Sequence, residues 1–232
     1  MNIVKVDRSG ETVNSRNYQS TIRVERAART RRAILDAAGA RFTSQGYAAT
    51  TVSQIASDAE VAVDTVYAVV GTKPALFRLL LETAISGTDR AVPAEQREYV
   101  QRIRATPRAR DKLALYASSV RVISERLAPL QLVLRDAATQ DGELARMRDE
   151  ISARRANNMR LFADDLIATG DVRPDVGAEE IADVVWSTTA AEFYALLVSE
   201  RGWAPSQFEH WLTDTWQQLF LIARRRHRLS GT

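Results

Sequence analysis

An all-α fold is the expectation for this chain of 232 residues, and three observations predict it. Apolar residues recur at three- and four-residue spacing along most of the length. No strand-like alternation of useful extent interrupts them. The breaks between periodic stretches carry Gly, Pro and hydroxyl or amide residues in the positions where helices stop and start. The predicted architecture is an N-terminal three-helix helix-turn-helix domain followed by a larger C-terminal helical bundle.

The elements follow in order. Residues 1–22 are polar and aperiodic and are expected to form a disordered tail. Helical patterning begins near Val24, with Ile34, Leu35, Ala38 and Phe42 on the apolar face and Gly46 as its C-terminal stop. Thr51 opens a second helix, and Gln54 three residues later completes a capping box. That helix is expected to bury Val52, Ile55, Ala56 and Ala59. A turn over Ala59–Val61 leads to a third helix, about 62–69, which Gly71 and Thr72 end. Thr72 can cap a fourth helix, whose first turn tolerates Pro74 and whose stripe is Leu76, Phe77, Leu80 and Leu81. Longer helices are expected near 94–104, 107–127, 129–140, 143–169, 178–201 and 206–228. Pro107 and Pro129 are read as helix starts, and Ser206 with Glu209 as a second capping box. The domain boundaries predicted are 23–71 for the helix-turn-helix and 72–232 for the bundle.

Composition excludes several classes of function. There is no cysteine and there are two histidines, His210 and His227, so disulfides, thiolate chemistry and histidine-based metal sites are not expected. No paired carboxylates, activated nucleophile or phosphate loop is visible, and neither enzyme activity nor a cofactor is predicted. No apolar run is long enough for a membrane span and no signal-peptide core is present, which points to a cytoplasmic protein without membrane association. The net charge of +3 is unevenly placed: residues 1–90 hold 12 Lys/Arg against 9 Asp/Glu, and the remainder is balanced. The excess is densest at Arg23, Arg26, Arg29, Arg31 and Arg32, beside the helix-turn-helix. Nucleic acid suits such a segment because guanidinium groups pair with phosphates. We therefore expect a minor-groove or phosphate-tracking arm containing Arg29 and Arg31. The closing run Arg224–Arg228 is read only as a charged end to the last helix.

The second helix of a helix-turn-helix enters the major groove with its first turns against base edges. Here it would present Val63, Asp64, Thr65, Tyr67 and Ala68, with Val61, Val66 and Val69 packed inward. Asp64 either accepts from cytosine N4 or favours the positive helix N-terminus. Val63 and Ala68 suit a thymine methyl, and Thr65 a phosphate. Thr51 can hydrogen-bond a phosphate or cap its helix. Lys73, one of three lysines in the chain, stands at a helix start and suits a phosphate.

These residues resemble the TetR/AcrR family of bacterial transcriptional regulators. The resemblance runs in order through Phe42, Gly46-Tyr47, Thr50-Thr51-Val52, Ile55-Ala56, Ala59, Val61, Thr65-Val66-Tyr67, Gly71, Lys73 and Leu76-Phe77. Three positions depart from the family pattern. Glu60 stands where the turn glycine is usual, so a left-handed backbone there would be strained. Ala62 replaces the capping serine, a loss of about 1 kcal/mol. Ala68-Val69-Val70 replaces an aromatic-His-Phe tail.

The resemblance implies a homodimeric repressor that binds a palindromic operator in double-stranded DNA, and it implies that Tyr67 donates to a phosphate. It implies an apolar or amphipathic small-molecule effector in the C-terminal bundle and dimerisation through the last two helices. Candidate interface residues are Ile181, Val184, Val185, Thr188 and Leu196, with Phe208, Leu212, Thr215, Trp216, Leu219 and Phe220. Candidate effector contacts are Tyr116, Val120, Ile123, Leu134, Met159, Phe162 and Trp186, with Arg135 and Asp136 as polar candidates. The alternative is an all-α ligand-binding or protein-interaction module whose helix-turn-helix no longer binds DNA.

Overall fold

The first helix starts earlier than its apolar pattern does. In the computed structural model, which describes the backbone of residues 15–222 and the side chains of 21–222, α1 spans Ser15–Ala49. Residues 15–22, expected in a tail, are therefore helical, and the Arg23–Arg32 run lies on α1. The run Arg224–Arg228 lies outside the described residues. Gly46 interrupts α1 with φ 80° and ψ 169°, a backbone that glycine reaches without steric cost, so the regular helix stops there.

The chain divides into two compact units, residues 1–80 and 81–232, with the division inside the fourth helix rather than at 71/72. In the first unit α1 is followed by α2 (Val52–Asp58), α3 (Val63–Val70) and the start of α4 (Lys73–Ser86). The capping box forms: Thr51 Oγ1 accepts from the Gln54 N–H at 3.2 Å, and Gln54 Oε1 accepts from the Thr51 N–H at 2.8 Å. The core joins Ile34, Ala38, Ile55, Val66 and Leu76 to a triangle of Phe42, Tyr47 and Phe77, whose ring centroids are 4.9–5.4 Å apart. Arg41 on α1 clasps Asp58 on α2 with two hydrogen bonds, of 2.5 and 2.8 Å. That clasp lowers the Asp58 carboxyl below the usual carboxylate pKa.

The turn between α2 and α3 carries the predicted strain. Glu60 has φ 54°, the sole non-glycine with positive φ among the described residues. Glu60→Gly is expected to raise stability by about 1 kcal/mol, since the left-handed conformer costs a β-carbon-bearing residue roughly that much. Thermal unfolding checks it: a midpoint unchanged or lowered would mean that the Glu60 side chain offsets its own backbone cost.

The second unit contains the rest of α4, a 3-10 turn at Ala94–Gln96, α5 (Glu98–Ala105), α6 (Ala109–Ala137) and α7 (Gly142–Ile167). It continues with α8 (Ala178–Thr188), α9 (Ala191–Tyr194), a π-helical turn (Ala195–Glu200) and α10 (Pro205–Phe220). Helix α7 packs on α8, and α10 packs on α6. The core is built from Leu113, Ala117, Ala163, Leu166, Ile181, Val185 and the four-residue ladder Phe208, Leu212, Trp216 and Phe220.

Three sequence expectations fail here for identifiable reasons. Pro129 does not start a helix; it lies inside α6, because burial of Leu127, Ala128, Leu130 and Leu134 across it outweighs one missing backbone bond. The expected helix 178–201 breaks at Thr189 and Ala190. The hydroxyls of Thr188 and Thr189 donate back to the carbonyls of Val184 and Val185, each at 2.7 Å, a competition that favours helix ends. Ser206 caps nothing, since Ala204 is the N-cap of α10, and Glu209 instead accepts from Arg121 Nε at 2.6 Å.

Candidate nucleic-acid interface and ligand cleft

Helix α3 shows its residues in three classes. Val66 and Val70 are buried, Asp64, Tyr67 and Ala68 are exposed, and Val63, Thr65 and Val69 are half-buried. The inward pair is thus Val66 and Val70, four residues apart, rather than Val66 and Val69. Tyr67 is 49% exposed despite its large ring. No side chain caps the helix at Ala62, and Asp64 supplies the acidic group of its first turn. Lys73, at the start of α4, holds its ammonium 4.1 Å above the centre of the Tyr47 ring. Thr51 is exposed, but its hydroxyl also donates to Gln54 Oε1 at 3.1 Å, so both its donor and an acceptor site serve the cap. Arg29 is exposed and Arg31 half-buried on α1.

In the second unit, three adjoining clefts run along α7, with α5 and α6 opposite. The first is lined by Tyr116, Met159 and Phe162, with Tyr99 and Ile103 of α5. The second shares Tyr116 and Met159 with the first and adds Val120 and Ile123. A third, reached past Arg155, is lined by Leu134, Arg135 and Trp186. All seven effector candidates therefore face one of these clefts. Asp136 does not; it is exposed on α6, and Arg135 is paired with Glu192 at 2.6 Å.

The clefts are apolar, with a few charged groups in their walls. Burial pushes the Tyr116 phenol well above its ordinary pKa, and its hydroxyl donates to the Met159 sulfur at 3.3 Å. Asp165, at one end, is bound to the buried Lys112 at 2.7 Å. Arg97 and Arg154 both meet Glu82. Arg155 differs from them. Its guanidinium lies 4.9 Å from the Trp186 ring centre and donates to the Trp186 carbonyl and to Thr189 Oγ1. Sequence reasoning missed Arg155, Tyr99 and Asn158. Arg155 sits in the run Arg154-Arg155, which looks like a solvated face, and only the i, i+4, i+7 relation to Met159 and Phe162 points inward.

Residues 34–80 match the family model of bacterial regulatory proteins, tetR family. The helix-turn-helix is of the TetR type. No curated protein matches the chain. Solved structures do, over most of both chains. A protein from Saccharomonospora viridis in complex with choline aligns with a TM-score of 0.65 at 17% identity, over 83% of this chain and 98% of its own. The transcriptional regulator FadR from Bacillus subtilis, in complex with stearoyl-CoA, aligns at 0.64 and 20%, over 79% and 96%. NalD, the secondary repressor of the MexAB-OprM multidrug efflux pump in Pseudomonas aeruginosa, aligns at 0.64 and 22%, over 85% and 98%. The full-length fold is thus that of TetR-family regulators. In this TetR-type domain the first turn of α3 carries Asp64 and Thr65, and Asp64, Tyr67 and Ala68 are the exposed residues of the helix. Among the described residues no single helix is long and apolar enough to cross a membrane.

Proposed function

We propose that this protein is a cytoplasmic, homodimeric, sequence-specific DNA-binding regulator, a repressor whose operator affinity falls when a small molecule occupies the clefts along α7. The observation that carries the reading is the TetR-type helix-turn-helix with Asp64, Tyr67 and Ala68 turned outward on α3. Two copies would set two such helices into successive major-groove faces of a palindromic site. Asp64 then faces base edges, while Tyr67, Thr65 and Lys73 contact phosphate. The half-exposed Val63 and the small Ala68 suit a thymine methyl. Arg29 and Arg31 add phosphate attraction from α1, so affinity falls steeply with salt. Thr51, whose hydroxyl is taken up by Gln54, acts as the cap of α2. An effector releases the operator only if it prefers the non-binding arrangement of the two recognition helices.

Selection of genomic fragments bound by the purified protein at fixed moderate salt tests the reading. A discrete palindrome is expected; recovery of nothing, or of random sequence that salt removes, would overturn it in favour of an all-α binding module. On the selected site, Tyr67→Phe is expected to weaken all sequences alike, by about tenfold or more for one lost hydrogen bond to a charged group. Asp64→Ala is expected to change the ranking of site variants more than the mean affinity. If the two variants behave alike in a competition series, the division of labour on α3 is wrong.

A further inference from the structure

We propose that the clefts along α7 take an amphipathic monocarboxylate, its carboxylate held by the Arg155 guanidinium and the Trp186 indole N–H, its apolar body lying against Tyr116, Met159 and Phe162. The proposal rests on the ligand-responsive reading above and names the class of ligand.

Arg155 is a charge without a counter-charge in contact with it. Every group in contact with Arg155 is neutral, namely the Trp186 carbonyl, the Thr189 hydroxyl at 2.7 Å and the Trp186 ring, and Glu192, which acts on it at longer range, is bound to Arg135. Among the described residues no carboxylate reaches it within ion-pair distance. Of the other cations in the cleft walls, Arg97 and Arg154 are answered by Glu82, Arg135 by Glu192 and Arg148 by Asp149, while Arg104 is exposed to solvent. Burial lowers the Arg155 pKa, yet an arginine remains charged at neutral pH, so the guanidinium is a half-buried cation whose Nε and Nη1 donors have no protein acceptor. Such a group is destabilising unless something pairs with it.

A second, independent observation lies beside it. Trp186 Nε1 is a buried donor with no acceptor, a condition that folded proteins rarely leave standing. Two unsatisfied donor groups, one of them charged, line the same cleft wall as Leu134. Their shared complement is an anionic oxygen acceptor, and a planar carboxylate matches the guanidinium fork.

The remainder of the ligand follows from the helix. Arg155, Met159 and Phe162 are related by four and three residues, so they share one face of α7 and span roughly 10 Å of its axis. Along that span Met159 and Phe162 face Tyr116, with Asn158 as a polar group beside them. At the far end Asp165 already holds Lys112 and offers no free anion to a cationic ligand. A quaternary ammonium would set like charge against Arg155, and a neutral alcohol would leave its charge unanswered.

Isothermal titration of the full chain with octanoate, octanol and octyltrimethylammonium tests this. Octanoate is expected to bind at least about tenfold more tightly than either of the others. Arg155→Gln is expected to abolish that preference while octanol binding stays within about twofold. Because Arg155 also braces the end of α8, Trp186→Phe supplies a second test that keeps the ring and removes one donor; it should weaken octanoate severalfold and leave octanol unchanged. The proposal fails if no probe binds, if octanol or the ammonium matches octanoate, or if both variants keep the wild-type preference. Retention of the selected DNA fragment, measured in parallel, separates the two readings. DNA retained without a carboxylate preference sinks this ligand class alone. A carboxylate preference with DNA retention indifferent to octanoate leaves the site standing and sinks the effector-coupled regulator.

Discussion

Aspartate placed at Leu196 and Leu219 together is expected to convert the protein from a dimer to a monomer in light scattering. It should also weaken retention of a two-half-site DNA fragment by about a hundredfold or more, since linking two half-site readers contributes that much through effective concentration alone. The choice of residues comes from which side of α10 is already used. Phe208, Leu212, Trp216 and Phe220 are fully buried within their own chain, and so are Ile181 and Val185 of α8. These candidates from the sequence are core residues and are not available to a partner. What remains outside is Leu196, 51% exposed, and Leu219, 45% exposed, together with Ile222. Leu219 continues the stripe Trp211, Thr215, Leu219 at four-residue spacing, and Trp211 stacks on Phe193 at 5.3 Å, which brings this stripe beside α9.

An isologous interface would bury each leucine twice, at roughly 1.5–3 kcal/mol per side chain as an upper figure. Aspartate would forfeit that and would bring carboxylates into an apolar contact. Neither leucine belongs to the core, so the monomer should keep its helical content and most of its thermal stability. An unchanged mass would move the interface elsewhere. A variant that is unfolded as well as monomeric would mean that the two leucines support the bundle itself.

The helix-turn-helix was legible because its signals are local. A capping box needs two residues three apart, a glycine stop needs one, and the stripe Ile34, Leu35, Ala38, Phe42 needs only helical period. Even the strain at Glu60 could be anticipated, since a turn of this kind fixes the sign of φ at that position. The clefts were partly legible: aromatic and long apolar residues of the middle helices do line them, but so would any core. What the sequence concealed depends on tertiary partners. Pro129 reads as a helix start until burial on both sides of it is known. Ser206 and Glu209 fit a capping box, yet a 2.6 Å bond to Arg121, distant in the chain, takes the glutamate. Arg155 looks like a surface cation until α8 is folded against α7 and its carbonyl end meets the guanidinium.

Lys112→Met is expected to lower stability by about 3 kcal/mol, read as a fall of roughly 6–12 °C in the thermal midpoint for a protein of this size. Lys112 is 3% exposed, unusual for a residue that almost always keeps its ammonium in water. Three acceptors account for it. Its Nζ donates to the Ile103 carbonyl at 2.9 Å, to the Arg104 carbonyl at 3.3 Å and to Asp165 Oδ2 at 2.7 Å. Both carbonyls lie at the C-terminal end of α5, where the Ile103 carbonyl also accepts from the Thr106 N–H at 3.1 Å, so one side chain of α6 reinforces the end of α5 and ties it to α7. Methionine fills the same volume but answers none of the three. Asp165→Asn should cost less, about 1 kcal/mol, because the carboxylate is a third exposed and water can replace the lysine there. If the two substitutions cost the same, the ion pair rather than the cap of α5 is the main contribution. The consequence reaches the ligand as well. Ile103, Arg104 and Asp165 line one end of the first cleft, so a loosened α5 should also weaken octanoate binding without changing its preference over octanol. A change in that preference would mean that the cleft reads charge at the Lys112 end as well as at Arg155.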